Sequence, residues 1–145
     1  HRDFKETDSL ANNVVSLEKS IVSKEPHFEK IEASVAGYIK YFNEKNADGL
    51  SMLFTENAFQ NVSSKEGIVV GRENIKTTEV FADGQVLNAT ILGYKYLGDS
   101  LAIAYGSWTQ LDTTTNTMAR GSWGNVFKID GDTEYLVMES AGVSQ

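Results

Sequence analysis

Residues Tyr38 to Ile75 read YIKYFNEKNADGLSMLFTENAFQNVSSKEGIVVGRENI, and the order of structural signals in this stretch decides the fold. An amphipathic helix ends at Asn46-Ala-Asp-Gly, where Asn46 can cap a second, short helix. Glu56-Asn-Ala then opens a strand, and Gly71-Arg-Glu begins a third helix. The stretch therefore predicts three helices ahead of the β-rich segments that follow it.

The spacing of apolar residues defines these helices. The first begins at Phe28 and turns one apolar side toward a core. Its apolar positions are Phe28, Ile31, Val35, Tyr38, Ile39 and Phe42. The second helix faces inward with Leu50, Leu53 and Phe54. We expect the second helix to end at Asn57, before a strand over Phe59 to Val62, and the third to begin at Gly71 and close at Asp83-Gly84.

Long segments rich in β-branched and aromatic residues follow Gly84. The predicted strands are Val86 to Leu97, Leu101 to Leu111, Thr117 to Ile129 and Thr133 to Ala141. Gly98-Asp99 and Asp130-Gly131 are hairpin signals, because these residues tolerate a positive φ. The sequence thus describes helices followed by an antiparallel meander, which is an α+β layout.

This order of elements resembles the nuclear transport factor 2-like superfamily, and within it the SnoaL-like branch, over Phe28 to Ala141. The resemblance implies a cystatin-like cone, or α+β barrel, in which three helices pack on a curved antiparallel sheet around a pocket. We therefore divide the chain into an N-terminal extension, residues 1–27, and a SnoaL-like domain, residues 28–145.

The N-terminal extension is predicted to form an extra helix. Its apolar stripe consists of Leu10, Val14, Leu17 and Ile21. This stripe packs either on the body of the domain or against another subunit. The sequence begins with His1 instead of Met, so we expect a segment upstream to have been removed.

Alternation along the third long strand places one set of side chains toward the helices, namely Trp123, Asn125, Phe127 and Ile129. The strand before it is apolar on both faces, so the outer face needs a cover. That cover is either the N-terminal helix or a second subunit. Many members of the resembled superfamily dimerise through this sheet, so we expect a homodimer.

Composition excludes several classes of function. The net charge of −7, without a basic cluster, disfavours nucleic acid and anionic lipid as partners. The chain contains no cysteine, no apolar run long enough to span a membrane, and only two histidines, His1 and His27. We expect no metal site, no cofactor and no membrane association, and any acid or base must be a carboxylate, Lys or Tyr.

Enzymes of the resembled superfamily place an Asp on the strand after the second helix, and ketosteroid isomerase adds a protonated acid as a donor on the third long strand. The first position lies in Ala58 to Val62, which has no carboxylate, and the second falls at or near Asn125. We therefore predict no ketosteroid-isomerase activity. Glu139 is the best late carboxylate, and it either pairs with Arg120 on the outer face or acts in catalysis.

The predicted function is binding of a small, largely apolar molecule in an aromatic-lined pocket. The predicted ligand-binding residues are Tyr38, Phe42, Phe54, Asn61, Trp108, Trp123, Asn125 and Phe127. One alternative is an isomerase, cyclase or hydrolase that uses Glu139 as a nonstandard carboxylate and Asn125 as a hydrogen-bond donor. Another is an interaction scaffold with a filled core. A buried carboxylate in the pocket would favour the enzyme over the binder. A pocket with room for a ligand would favour either of these functions over the scaffold.

Overall fold

The fold was analysed in a computed structural model that describes residues 25–144. The helices are α1 (Phe28–Asn43), α2 (Ala47–Ser51) and α3 (Arg72–Thr77). The strands are β1 (Phe54–Val62), β2 (Val69–Val70), β3 (Gln85–Gly98), β4 (Leu101–Asp112), β5 (Thr117–Asp130) and β6 (Thr133–Val143). The predicted N-terminal helix and its apolar stripe lie outside the described residues.

Helix α1 forms because its apolar residues recur at the helical period and bury one side. Phe28 and Ile31 are buried, and Val35 and Tyr38 pack against the same core. Helix α2 begins at the predicted cap, where the Gly49 N–H donates to Asn46 Oδ1 at 2.9 Å. Within residues 25–144, no helix is long and apolar enough to cross a membrane.

The six strands form one sheet in the order β2-β1-β6-β5-β4-β3. Strands β3 to β6 make the predicted antiparallel meander. The predicted antiparallel sheet is confirmed except at one pair, since β1 runs parallel to β6. Side-chain alternation has the same period in both arrangements, so the residue pattern carries no information about strand direction.

The four long strands are confirmed, and two predicted boundaries are wrong. Strand β1 already begins at Phe54, so Asn57 lies inside the strand instead of ending a helix. Its pairing with β6 shifts between Phe54 and Phe59, which hides the strand from a simple alternation pattern. Helix α3 stops at Thr77, where the Thr78 hydroxyl donates to Asn74 O at 2.7 Å and ends the helix early.

An irregularity in β6 positions the site. Val126 pairs with Met138 while Phe127 pairs with Leu136, so Val137 is an extra residue in β6. A bulge of this kind changes which residues share a face. It places both Leu136 and Glu139 among the buried residues on the inner side, although regular alternation would separate residues three apart.

Candidate functional site

A cavity of about 120 Å³ lies between helix α1 and the inner face of the sheet. Six of the eight predicted ligand-binding residues line it: Tyr38, Phe42, Trp108, Trp123, Asn125 and Phe127. Glu139, the predicted carboxylate candidate, lines it as well. The structure thus brings the aromatic residues and both candidate catalytic residues to one place.

Two predicted lining residues lie elsewhere. Phe54 is fully buried in the core and does not line the cavity, and Asn61 is exposed. Their neighbours Gln60 and Val62 line the cavity instead. Alternation along β1 buries Ala58 and Gln60, which leaves Asn61, between Gln60 and Val62, on the outer face.

The two tryptophans of the cavity lie over glycines of the neighbouring strand. Trp108 pairs with Gly121 and Trp123 pairs with Gly106 across β4 and β5. A side-chain carbon on Gly121 would lie 2.6 Å from the Trp108 ring, and one on Gly106 would lie 2.8 Å from the Trp123 ring. These glycines, expected from the sequence to permit bends, make room for the indoles that wall the cavity.

Each indole N–H also donates to a backbone carbonyl of the strand opposite. Trp108 Nε1 donates to Ser122 O at 3.3 Å, and Trp123 Nε1 donates to Ser107 O at 3.2 Å. A buried indole needs such a partner. The two rings are therefore fixed in position as the apolar wall of the cavity.

Glu139 is buried, with 5% of its surface exposed. Gln60 Nε2 donates to Glu139 Oε1 at 2.8 Å. The expected outer-face pair with Arg120 is wrong, because Arg120 is exposed and its Nη2 contacts Met118 Sδ at 3.8 Å. Burial raises the pKa of Glu139 to about 7, against hydrogen bonds from Gln60 and Tyr38 that lower the pKa.

Tyr38, on α1, presents its hydroxyl to Glu139. Burial, followed by the charge of Glu139, raises the pKa of the Tyr38 hydroxyl well above its ordinary value. The phenol therefore stays neutral at physiological pH. It is a hydrogen-bond donor at the polar end of the cavity.

Asn125 lies directly across from Glu139 in the pairing of β5 with β6. Its Oδ1 accepts the Ser140 backbone N–H at 3.3 Å. Because the amide oxygen is held by the backbone, the amide NH₂ is the group that can donate to a molecule in the cavity.

Three residues at the polar end of the cavity were not predicted from the sequence, namely Gln60, Lys65 and Glu79. Lys65 Nζ lies 2.5 Å from Gln60 Oε1 and 3.0 Å from Glu79 Oε1. Gln60 and Glu79 line the cavity, while Lys65 lies behind them. Lys65 belongs to a turn and Glu79 follows a short helix, and no spacing pattern links them to β6 in the sequence.

A second carboxylate with a raised pKa, Glu134 on β6, lies beside α1 one helical turn before Tyr38. Glu134 interacts with Ser34, four residues before Tyr38 on α1, and its Oε1 is buried without a hydrogen-bond partner among the described residues. Burial raises the pKa of Glu134 to about 7. In the described part of the chain, no group of His or acidic side chains is arranged to hold a metal ion.

Known structures with the same architecture include a ketosteroid isomerase-like protein from Erwinia carotovora atroseptica (TM-score 0.69, 13% identity, 83% of this chain and 98% of that chain covered). An NTF2-like protein with a cystatin-like fold from Novosphingobium aromaticivorans matches with TM-score 0.65 and 17% identity over 94% of this chain and 88% of that chain. A type 2 hexachlorocyclohexane dehydrochlorinase matches with TM-score 0.67 and 9% identity over 81% and 84%.

No protein-family model matches the sequence, and no curated protein resembles it significantly. At these identities the likeness to the known structures is one of fold. The fold predicted from the resemblance is confirmed: the chain has the cystatin-like α+β fold of nuclear transport factor 2-like proteins.

Proposed function

We propose that this protein is an acid–base enzyme that moves a proton on a small, neutral, largely apolar molecule. Glu139 is the proton-transferring group, and Tyr38 and Asn125 donate hydrogen bonds to the oxygen on which negative charge develops. The observation that carries the proposal is a carboxylate buried inside an apolar, aromatic-lined cavity. Among the alternatives drawn from the sequence, this observation favours the enzyme over the simple binder.

The pKa of about 7 suits Glu139 for this role. A general base works best when its pKa lies near the operating pH, since it is then both ionised and basic enough to take a proton. The Asn125 amide is a preorganised donor for the developing oxyanion. The neutral Tyr38 hydroxyl donates to Glu139 while that carboxylate is ionised, and it can turn to the oxyanion once Glu139 has taken the proton. One of the similar structures is named as a dehydrochlorinase and another is described as ketosteroid isomerase-like, which agrees with an enzymatic use of this fold.

Cavity size and charge define the substrate class. A cavity of about 150 Å³ is known to hold benzene, so the 120 Å³ here suits a molecule of one ring and is too small for a steroid. Glu79 and Glu139 both line it, so an anionic molecule would meet like charges. We therefore propose a neutral cyclic ketone or alcohol as the substrate class.

The simplest probe is 3-cyclohexenone. Ionised Glu139 would take a proton from the carbon between the carbonyl and the alkene, which gives a dienolate held by Tyr38 and Asn125. The protonated Glu139 would return the proton to the far alkene carbon and form 2-cyclohexenone. Atoms and charge balance within the substrate and Glu139, and no co-reactant is needed.

The first prediction is that the purified protein isomerises 3-cyclohexenone and that Glu139→Gln lowers kcat by about 10²–10⁴-fold, the usual contribution of a positioned acid or base. Because Glu139 must be ionised, kcat/KM should rise with pH through about 7 and then level off. The appearance of the conjugated enone is followed by ultraviolet absorbance.

Glu134→Gln is the matched control, since it neutralises the other raised-pKa carboxylate outside the cavity lining and should retain turnover. Equal rates for the wild type and Glu139→Gln would reject the proposal. Saturable quenching of tryptophan emission by 2-cyclohexenone, without turnover of the 3-isomer, would also reject it in favour of the binding function.

A further inference from the structure

Lys65 belongs to the turn after β1, yet its side chain is only 9% exposed. Buried ammonium groups are costly unless they are paired and hydrogen-bonded. Lys65 Nζ meets this condition with Thr78 Oγ1 at 2.8 Å, Glu79 Oε1 at 3.0 Å and Ile75 O at 3.1 Å, as well as Gln60 Oε1. The ammonium is therefore held in one place by four acceptors.

The contact with Lys65 determines which way the Gln60 amide points. An ammonium only donates, so the atom facing it must be the amide oxygen. The amide nitrogen then faces Glu139, and Gln60 Nε2 donates to Glu139 Oε1 at 2.8 Å. Gln60 is 1% exposed, so water does not compete for either end of the amide.

Lys65 also forms a buried ion pair with Glu79, whose side chain is likewise 9% exposed. The two members act on Glu139 in opposite directions, because the Glu79 charge raises its pKa and the Lys65 charge lowers it. The other polar groups that face Glu139 are Gln60 on β1 and Tyr38 on α1, with Asn125 opposite on β5. Removal of one member of the pair would leave the other charge uncompensated beside the cavity.

We propose that Lys65 is a positioning residue of the site, which orients the Gln60 amide toward Glu139 and balances the charge of Glu79. The inference rests on the proposed role of Glu139 as the group that transfers the proton. It assigns a function to a turn lysine that does not line the cavity.

The test is a ¹³C NMR titration of the Glu139 carboxyl in the free protein. Lys65→Met should raise its titration midpoint by about one pH unit, and Glu79→Gln should lower it by a similar amount. The pH profile of kcat/KM with 3-cyclohexenone should move in the same two directions. Lys76→Met is the matched control, since Lys76 lies on α3 and pairs with the exposed Asp48, and it should leave the midpoint unchanged.

If the Lys65→Met variant does not fold, the double variant Lys65→Met/Glu79→Gln is compared with Glu79→Gln alone. Adding Lys65→Met should then raise the midpoint again, since the unopposed ammonium is removed. The role of Lys65 would be overturned if the Glu139 titration midpoints of Lys65→Met and Glu79→Gln equalled that of the Lys76→Met control. It would also be overturned if both single variants shifted the midpoint in the same direction. Opposite shifts in a protein that does not turn over the probe would uphold this role and reject only the catalytic one.

Discussion

At the scale of single residues, Glu139 sets the character of the site. A carboxylate that loses its hydration prefers to hold its proton, and the Gln60 and Tyr38 hydrogen bonds offset this preference only in part. The result is a group that changes charge near neutral pH in an apolar cavity. Such a group is suited to proton transfer, and it lowers the stability of the fold when ionised.

We predict that this cost appears in the pH dependence of stability. The pKa of Glu139 is raised from 4.5 to about 7 on folding, so its favourable contribution is complete below about pH 4.5 and is lost as pH rises to about 7. The loss is on the order of 3 kcal/mol. Urea unfolding of the wild type and of Glu139→Gln should show a steeper decline in the wild type over this range.

Glu134→Gln provides the comparison for the second raised-pKa carboxylate, and it should remove a separate part of the same decline. Parallel stability curves for the wild type and Glu139→Gln would contradict a raised pKa at Glu139.

At the scale of elements, β4 and β5 build the cavity wall through paired glycines and tryptophans. A Cβ atom at Gly121 would lie 1.9 Å from Gly142 O and 2.6 Å from the Trp108 ring. Gly142 belongs to β6, so its carbonyl can move away only if the backbone hydrogen bonds between β5 and β6 are disturbed. The absence of a side chain at Gly121 is therefore a packing requirement.

We predict that Gly121→Ala destabilises the fold by about 3 kcal/mol, since overpacking must displace β6 or the Trp108 ring. Gly124→Ala, on the same strand, is the control, because a Cβ atom at Gly124 would have no packing neighbour within 4 Å among residues 25–144. Thermal unfolding of the two variants measures the difference. A Gly121→Ala variant as stable as Gly124→Ala would show that the wall repacks freely.

At the scale of the whole molecule, the outer face of the sheet exposes several large apolar side chains. It carries Leu101, Ile103 and Tyr105, which are 38%, 38% and 55% exposed, next to a groove of about 610 Å³. An apolar face of this kind is normally covered. We propose that a second copy of the chain covers it, as the resemblance implies.

We predict that the protein sediments as a dimer at micromolar concentration and that Ile103→Glu yields monomers, because a charge would be buried in the interface. Ile103→Leu keeps the apolar surface and should stay dimeric. A monomeric wild type would contradict the proposal, and the N-terminal extension would then be the remaining candidate for the cover.

Some elements of the fold and of the site were predictable from the sequence, and others were not. The long strands and α1 were predictable, because repeated apolar spacing records which side of an element faces the core. The wall residues Trp108, Trp123 and Phe127 followed from the same alternation. The start of β1 was predicted wrongly, because a shift in strand pairing leaves no periodic signal. Asn61 lies on the outer face because the alternation of β1 buries Ala58 and Gln60 instead.

The spacing of apolar and aromatic residues along the sequence determined the main helix, the long strands and the aromatic wall of the cavity. Only the tertiary structure decided that β1 runs parallel to β6, that the bulge at Val137 turns Glu139 inward, and that Lys65 and Glu79 meet Gln60 behind it. These features depend on contacts between residues far apart in sequence. Burial and charge at Glu139, which give the site its chemistry, exist only once those distant segments pack together.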